Sequence, residues 1–116
     1  MSIPLSESAF WILSALAAGR RHGYGILQDV ATLSDGDIHL KVPTLYASLD
    51  RLTESGLVAS DGEEVVDGRA RRYYVLTPGG RERLDEEITR LEARAAVARE
   101  RLAPRARPAH PRVATA

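Results

Sequence analysis

Thr44, Ser48 and Arg51 fall four and three residues apart in the stretch KVPTLYASLDRLTESGLV, residues 41–58, a spacing that puts them on one side of a helix. Leu45, Leu49 and Leu52 take the opposite side. Two hydroxyls and one guanidinium around the small Ala47 make a face of short hydrogen-bonding groups, unlike the Glu/Lys-laden surface of a solvated helix. Such a face can lie close against a DNA groove. Thr44 and Ser48 suit bases or phosphates, and Arg51 suits guanine or phosphate. Ala47 permits close approach or contact with a thymine methyl, and Lys41 suits a phosphate at the helix entry. The plain alternative is an ordinary surface helix, and the helix alone favours that alternative.

A second constellation changes the balance. Arg69, Arg71 and Arg72 in RARR follow Asp67-Gly68, a dipeptide suited to a tight two-residue hairpin turn. Guanidinium groups on a protruding tip can hold backbone phosphates or enter a minor groove. Glu63 and Glu64 on the opposing strand are positioned to neutralise them.

These groups require a particular set of elements. Ser6 suits the N-cap of a helix over 7–18 stopped by Gly19. Phe10, Trp11, Ile12, Leu13 and Leu16 make that helix apolar nearly all round, more than one core stripe needs. HGYGILQDVATL reads as a second helix with Ile26, Leu27, Val30 and Leu33 inward, and its glycines allow close approach at its start. The third helix spans roughly 43–55. A hairpin follows, with Gly62 marking a bulge and Tyr74 and Leu76 on the opposite face from Tyr73 and Val75. Thr77-Pro78 opens a long helix to 102 or 103, although Gly80 stands where a capping box would place Glu or Gln. Leu84, Ile88, Leu91, Ala95, Ala98 and Leu102 are spaced as a heptad seam. This rod is about 39 Å long, too long for so small a domain to cover, so part of the seam needs another chain. The three-helix, hairpin, long-helix order is mainly α with a two-stranded β-wing: a winged helix-turn-helix plus a long C-terminal dimerisation helix.

Composition narrows the function classes. The 116 residues carry 16 Lys/Arg and 16 Asp/Glu, so an anionic partner would meet local patches rather than a net field. Three of the cations, Arg105, Arg107 and Arg112, lie in a proline-rich end read as a disordered basic tail over 104–116. With no cysteine, no apolar run of membrane-spanning length and no signal-peptide pattern at the start, a cytoplasmic location without membrane contact is expected. His39 and His110 are isolated, no metal-ligand set or cofactor fingerprint occurs, and no nucleophile elbow or phosphate loop supports an enzyme.

HGYGI at 22–26, PTLYASLDRLTESGLV at 43–58 and GRARRYYVLTPGGRERL at 68–84, in that order, resemble the PadR family of transcriptional regulators over roughly residues 5–103. The resemblance implies a homodimeric repressor of a pseudo-palindromic double-stranded operator. It implies a DNA-binding domain over 1–76 and a dimerisation helix over 77–103. Family DNA contacts carry over to Tyr46, its neighbours on the recognition helix and the basic wing, with Gly23 and Tyr24 near the phosphate backbone. Phe10, Trp11 and the seam would join two protomers, as in the short-tailed members that dimerise through the first and last helices. Trp11 would there stack on a planar effector or simply pack. Pro43, Gly25 and Val75 depart from residue types common in the family. A competing reading is a winged-helix adaptor that binds protein and leaves DNA alone.

Overall fold

The computed structural model describes residues 3–104, in the order α1 (Glu7–Ala17), β1 (Arg21–His22), α2 (Gly23–Leu33), α3 (Val42–Glu54), β2 (Val58–Val66), β3 (Arg69–Leu76) and α4 (Pro78–Leu102). The expected basic tail lies outside the described residues from 105 on.

Each helix start has a local cause. The Ser6 hydroxyl accepts from the Ala9 amide, and the Thr77 hydroxyl accepts from the Gly80 amide, satisfying amides that have no partner within the helix. The residue at 80 also shows why the capping box is incomplete. A Cβ there would lie 2.0 Å from the Leu57 carbonyl oxygen, so only glycine lets the first turn of α4 pack against the turn between α3 and β2. The Thr77 side chain reinforces that junction by donating to the Gly56 carbonyl at 2.6 Å.

The core lies where the three short helices meet the base of the hairpin. Ile12, Leu13 and Leu16 of α1 meet Ile26 and Val30 of α2, Leu45 and Leu49 of α3, and Val58 and Tyr74 of the sheet. The expected leucine stripe on α3 is therefore the buried one. Leu33, expected inward on α2, is half-exposed as the last residue of that helix.

The hairpin pairs Val66 with Arg69, Glu64 with Arg71 and Glu63 with Arg72, and its register slips between Ser60 and Glu63. Gly62 takes φ +83° at that bulge. Asp67 and Gly68 both have positive φ, the backbone of a type I′ turn. The two-stranded wing needs one correction: the sheet has three strands in the order β1-β3-β2. Arg21 pairs with Tyr74 and His22 with Tyr73. Two residues bounded by a glycine-rich helix start carry too little period to read as a strand.

Leu84 also needs correcting as an interface residue. It is buried in the chain's own core, because the first turns of α4 still lie over the domain. Farther along, Ile88 and Leu91 are each 38% exposed and Leu102 85%, and Ala95 and Ala98 are exposed as well. Val97, outside the expected seam, adds a further exposed apolar side chain. No helix among the described residues is long and apolar enough to cross a membrane.

Candidate nucleic-acid interface

Thr44, Tyr46, Ala47 and Arg51 all stand on the exposed side of α3, with Lys41 at its N-cap position. Ser48 does not. Its side is nearly closed, at 3% exposure, and its hydroxyl accepts from Arg51 at 3.3 Å. Ser48 lies three residues beyond Leu45 and one before Leu49, at the edge of the apolar stripe, and the domain closes over it. It acts by steadying the Arg51 guanidinium.

The second helix meets α3 at Gly23. That glycine is buried, and a Cβ on it would come within 2.3 Å of the Tyr46 hydroxyl. Gly23 thus lets Tyr46 lie across the start of α2 and presents no side chain of its own. Tyr24, next in the chain, is 63% exposed.

β1 ends at His22, so along residues 69–72 the edge of β3 away from β2 has no strand partner among the described residues. A cleft of about 410 Å³ opens there, lined by His22, Gly23, Tyr24, Tyr46 and Arg69 to Arg72. The fold therefore gathers the wing arginines, the exposed tyrosines and the entry to α2 from three separate segments.

The wing's acids could cancel this charge, and their pairing decides whether they do. Arg20 binds Asp61 at 2.9 Å and Glu64 at 3.4 Å, donates to the Asp61 carbonyl at 3.0 Å, and lies 3.8 Å above the Tyr73 ring. Glu64, which faces Arg71 across the hairpin, is thereby engaged from the domain side. Arg72 is partly spent: Glu63 lies 3.7 Å away, and Arg72 hydrogen-bonds Tyr74, whose hydroxyl burial pushes upward in pKa. Arg69 and Arg71 have no acidic partner among the described residues. Exposed ion pairs of this kind contribute only about 0–1 kcal/mol each to stability. Their consequence is directional: they leave the cationic edge uncancelled. The sequence signal for this pairing is DGEE at 61–64, an acidic run that needs cations.

A different site forms between α1 and α4. A cleft of about 350 Å³ is lined by Leu5, Phe10, Trp11 and Leu91 together with Glu87 and Arg90. Phe10 and Trp11 meet edge to face at 5.0 Å. Glu87 is almost fully buried. It accepts from Arg90 Nε at 3.2 Å, from Arg83 at 3.5 Å and from the Leu5 amide at 3.4 Å. The Arg90 hydrogen bonds hold the carboxyl below its ordinary range, outweighing the opposing effect of burial, and the Leu5 amide adds to them. Glu87 raises Arg90 in return. Arg83 also donates to the Ile3 carbonyl, so the two α4 side chains clamp the segment preceding α1. The sequence signal for this cluster is an arginine four residues before Glu87 and another three after it.

Three short helices, a hairpin whose cationic edge borders the third of them, and a projecting terminal helix define a winged helix-turn-helix protein with an anion-facing surface. Residues 12–86 match the transcriptional regulator PadR-like family, and the chain belongs to that family. Its members are transcriptional regulators, not enzymes. Transcriptional regulator Rv3488 of Mycobacterium tuberculosis is 42% identical over 81 residues, covering 70% of this chain and 72% of that protein. A PadR family transcription regulator from Clostridium difficile R20291 is 25% identical, with TM-score 0.70, over 84% of this chain and all of the other. Bacillus subtilis PadR, solved in complex with operator DNA, has the same fold at 19% identity and TM-score 0.62, over 93% of this chain and 53% of that one.

Proposed function

We propose that the chain is a cytoplasmic, homodimeric repressor that binds a pseudo-palindromic operator in duplex DNA. Residues 1–76 form its reading head and 77–103 its dimerisation helix. In this reading α3 enters the major groove with Thr44, Ala47 and Arg51 toward base edges. Lys41, Tyr24, Tyr46, Arg69 and Arg71 take phosphates, and Arg72 assists from its tether on Glu63. The observation that carries the proposal is the cationic edge beside α3, left uncancelled because Arg20 engages Asp61 and Glu64.

The same reading has Phe10 and Trp11 of α1 and Ile88, Leu91, Ala95, Ala98 and Leu102 of α4 joining two protomers. This would set the recognition helices about 34 Å apart, one turn of DNA. The α1–α4 cleft supports an effector with a planar apolar body near Trp11, acting through its preference for one dimer geometry over another.

Anisotropy of a fluorescent promoter-library duplex across a salt series tests the function. Two protomers engaging about six phosphates together give a slope near −5 in log K against log salt. Absence of both binding and slope supports the adaptor reading instead.

A further inference from the structure

We infer that His22 and Arg71 together seat one oxygen of a DNA backbone phosphate, making His22 a DNA-contacting residue. The inference deepens the DNA-binding function proposed above and rests on it.

Two hydrogen-bond donors converge on one imidazole. His22 Nδ1 lies 3.1 Å from the Gly25 amide, which donates to it. On the other side of the ring, Nε2 lies 3.4 Å from the Arg71 guanidinium. An imidazole with one ring proton has a single lone pair and cannot accept from both. Accepting from Gly25 places the proton on Nε2, where it points toward another donor. The pair Nε2–H and Arg71 N–H then shares no acceptor.

An anionic oxygen set about 2.8 Å from each resolves this. The surroundings suit a phosphodiester. Tyr46 brings its hydroxyl over Gly23 in the same cleft, and Glu64, which would otherwise face Arg71, is engaged by Arg20. The His22 ring has little freedom to turn away. It packs edge to face on Tyr73 at 5.5 Å, and its backbone is paired in the sheet. The seat is thus built before DNA arrives.

The test separates this contact from the capping role of His22. In His22→Asn the side-chain oxygen can still cap α2, but nothing reaches Arg71. Binding of a fluorescein-labelled, mixed-sequence 30-base-pair duplex is measured by anisotropy across salt, beside Arg71→Gln. Roughly tenfold weaker binding by His22→Asn, with its melting temperature and salt slope kept, supports the seat. Arg71→Gln should weaken binding and reduce the slope by about one. In the wild-type chain, ¹⁵N-imidazole spectra should show Nε2 protonated and shifted by duplex but not by inorganic phosphate at equal phosphate concentration. This readout stands even if His22→Asn fails to fold. A phosphate-induced shift equal to that from duplex, or His22→Asn binding duplex as the wild type does, overturns the seat alone. A wild-type chain that leaves duplex untouched in dilute salt overturns the seat and the proposed function together.

Discussion

The wing cleft and the α1–α4 cleft use charge in opposite ways. Around the wing, acids are drawn off by Arg20 so that Arg69 and Arg71 have no acidic partner among the described residues. Around α4, one acid is drawn inward and matched by Arg83 and Arg90, leaving Phe10, Trp11 and Leu91 to set the character of the surface. An uncancelled cation edge is suited to a polyanion, whereas an apolar cleft whose buried acid is matched within the chain is suited to an apolar partner. The two faces can therefore serve two kinds of partner on a chain whose formal charge is zero.

The largest expected effect comes from breaking the apolar side. Leu91→Asp places a charge in the proposed seam and should cost about 3–5 kcal/mol of association. Sedimentation should show a single copy with the domain still folded, and duplex affinity should fall with it. On the reading face, Arg51→Ala should cost about 1–3 kcal/mol and relax preference at one base pair if it reads guanine. Binding-site selection would reveal this, while equal losses on random duplex would reassign Arg51 to phosphate.

A smaller change sharpens the contrast between the faces. Arg20→Gln frees Asp61 and Glu64 and should weaken duplex binding roughly fivefold. Adding Asp61→Asn and Glu64→Gln should restore affinity, because the acids are then no longer there to screen. Restoration would show that Arg20 works by engaging charge; persistent weakness would show that it works by tethering the wing.

Glu87 gives the smallest effect at neutral pH and a distinct pH signature. Its folded pKa is depressed, so its contribution to stability is complete above the ordinary glutamate range and is lost as pH falls through the lowered value. Glu87→Gln should melt below the wild type near neutrality, with the gap closing in acid. A gap constant from neutral pH into that acid range would remove the carboxylate from the account.

Much of this was legible in the sequence where a single period or turn dominates. The Leu45/Leu49/Leu52 stripe, the Asp67-Gly68 turn, the Gly62 bulge and the Ser6 and Thr77 caps depend on neighbours close in the chain. What was not legible depends on contacts across the chain. Ser48 differs from Thr44 only in how far the domain closes over it. Leu84 belongs to the heptad spacing yet lies where α4 still covers the core. Gly80 breaks a local rule because the Leu57 carbonyl, in the turn between α3 and β2, crowds its Cβ position. Arg20 lies between two helices in the sequence and His22 at a helix entry, and only the pairing of β1 with β3 brings them beside the wing.

The most direct test of the central claim is multi-wavelength sedimentation of the chain with a labelled operator-length duplex at several salt concentrations. The account predicts two copies of the chain on each duplex, released steeply as salt rises. One copy per duplex, or a chain that sediments apart from DNA even in dilute buffer, contradicts it.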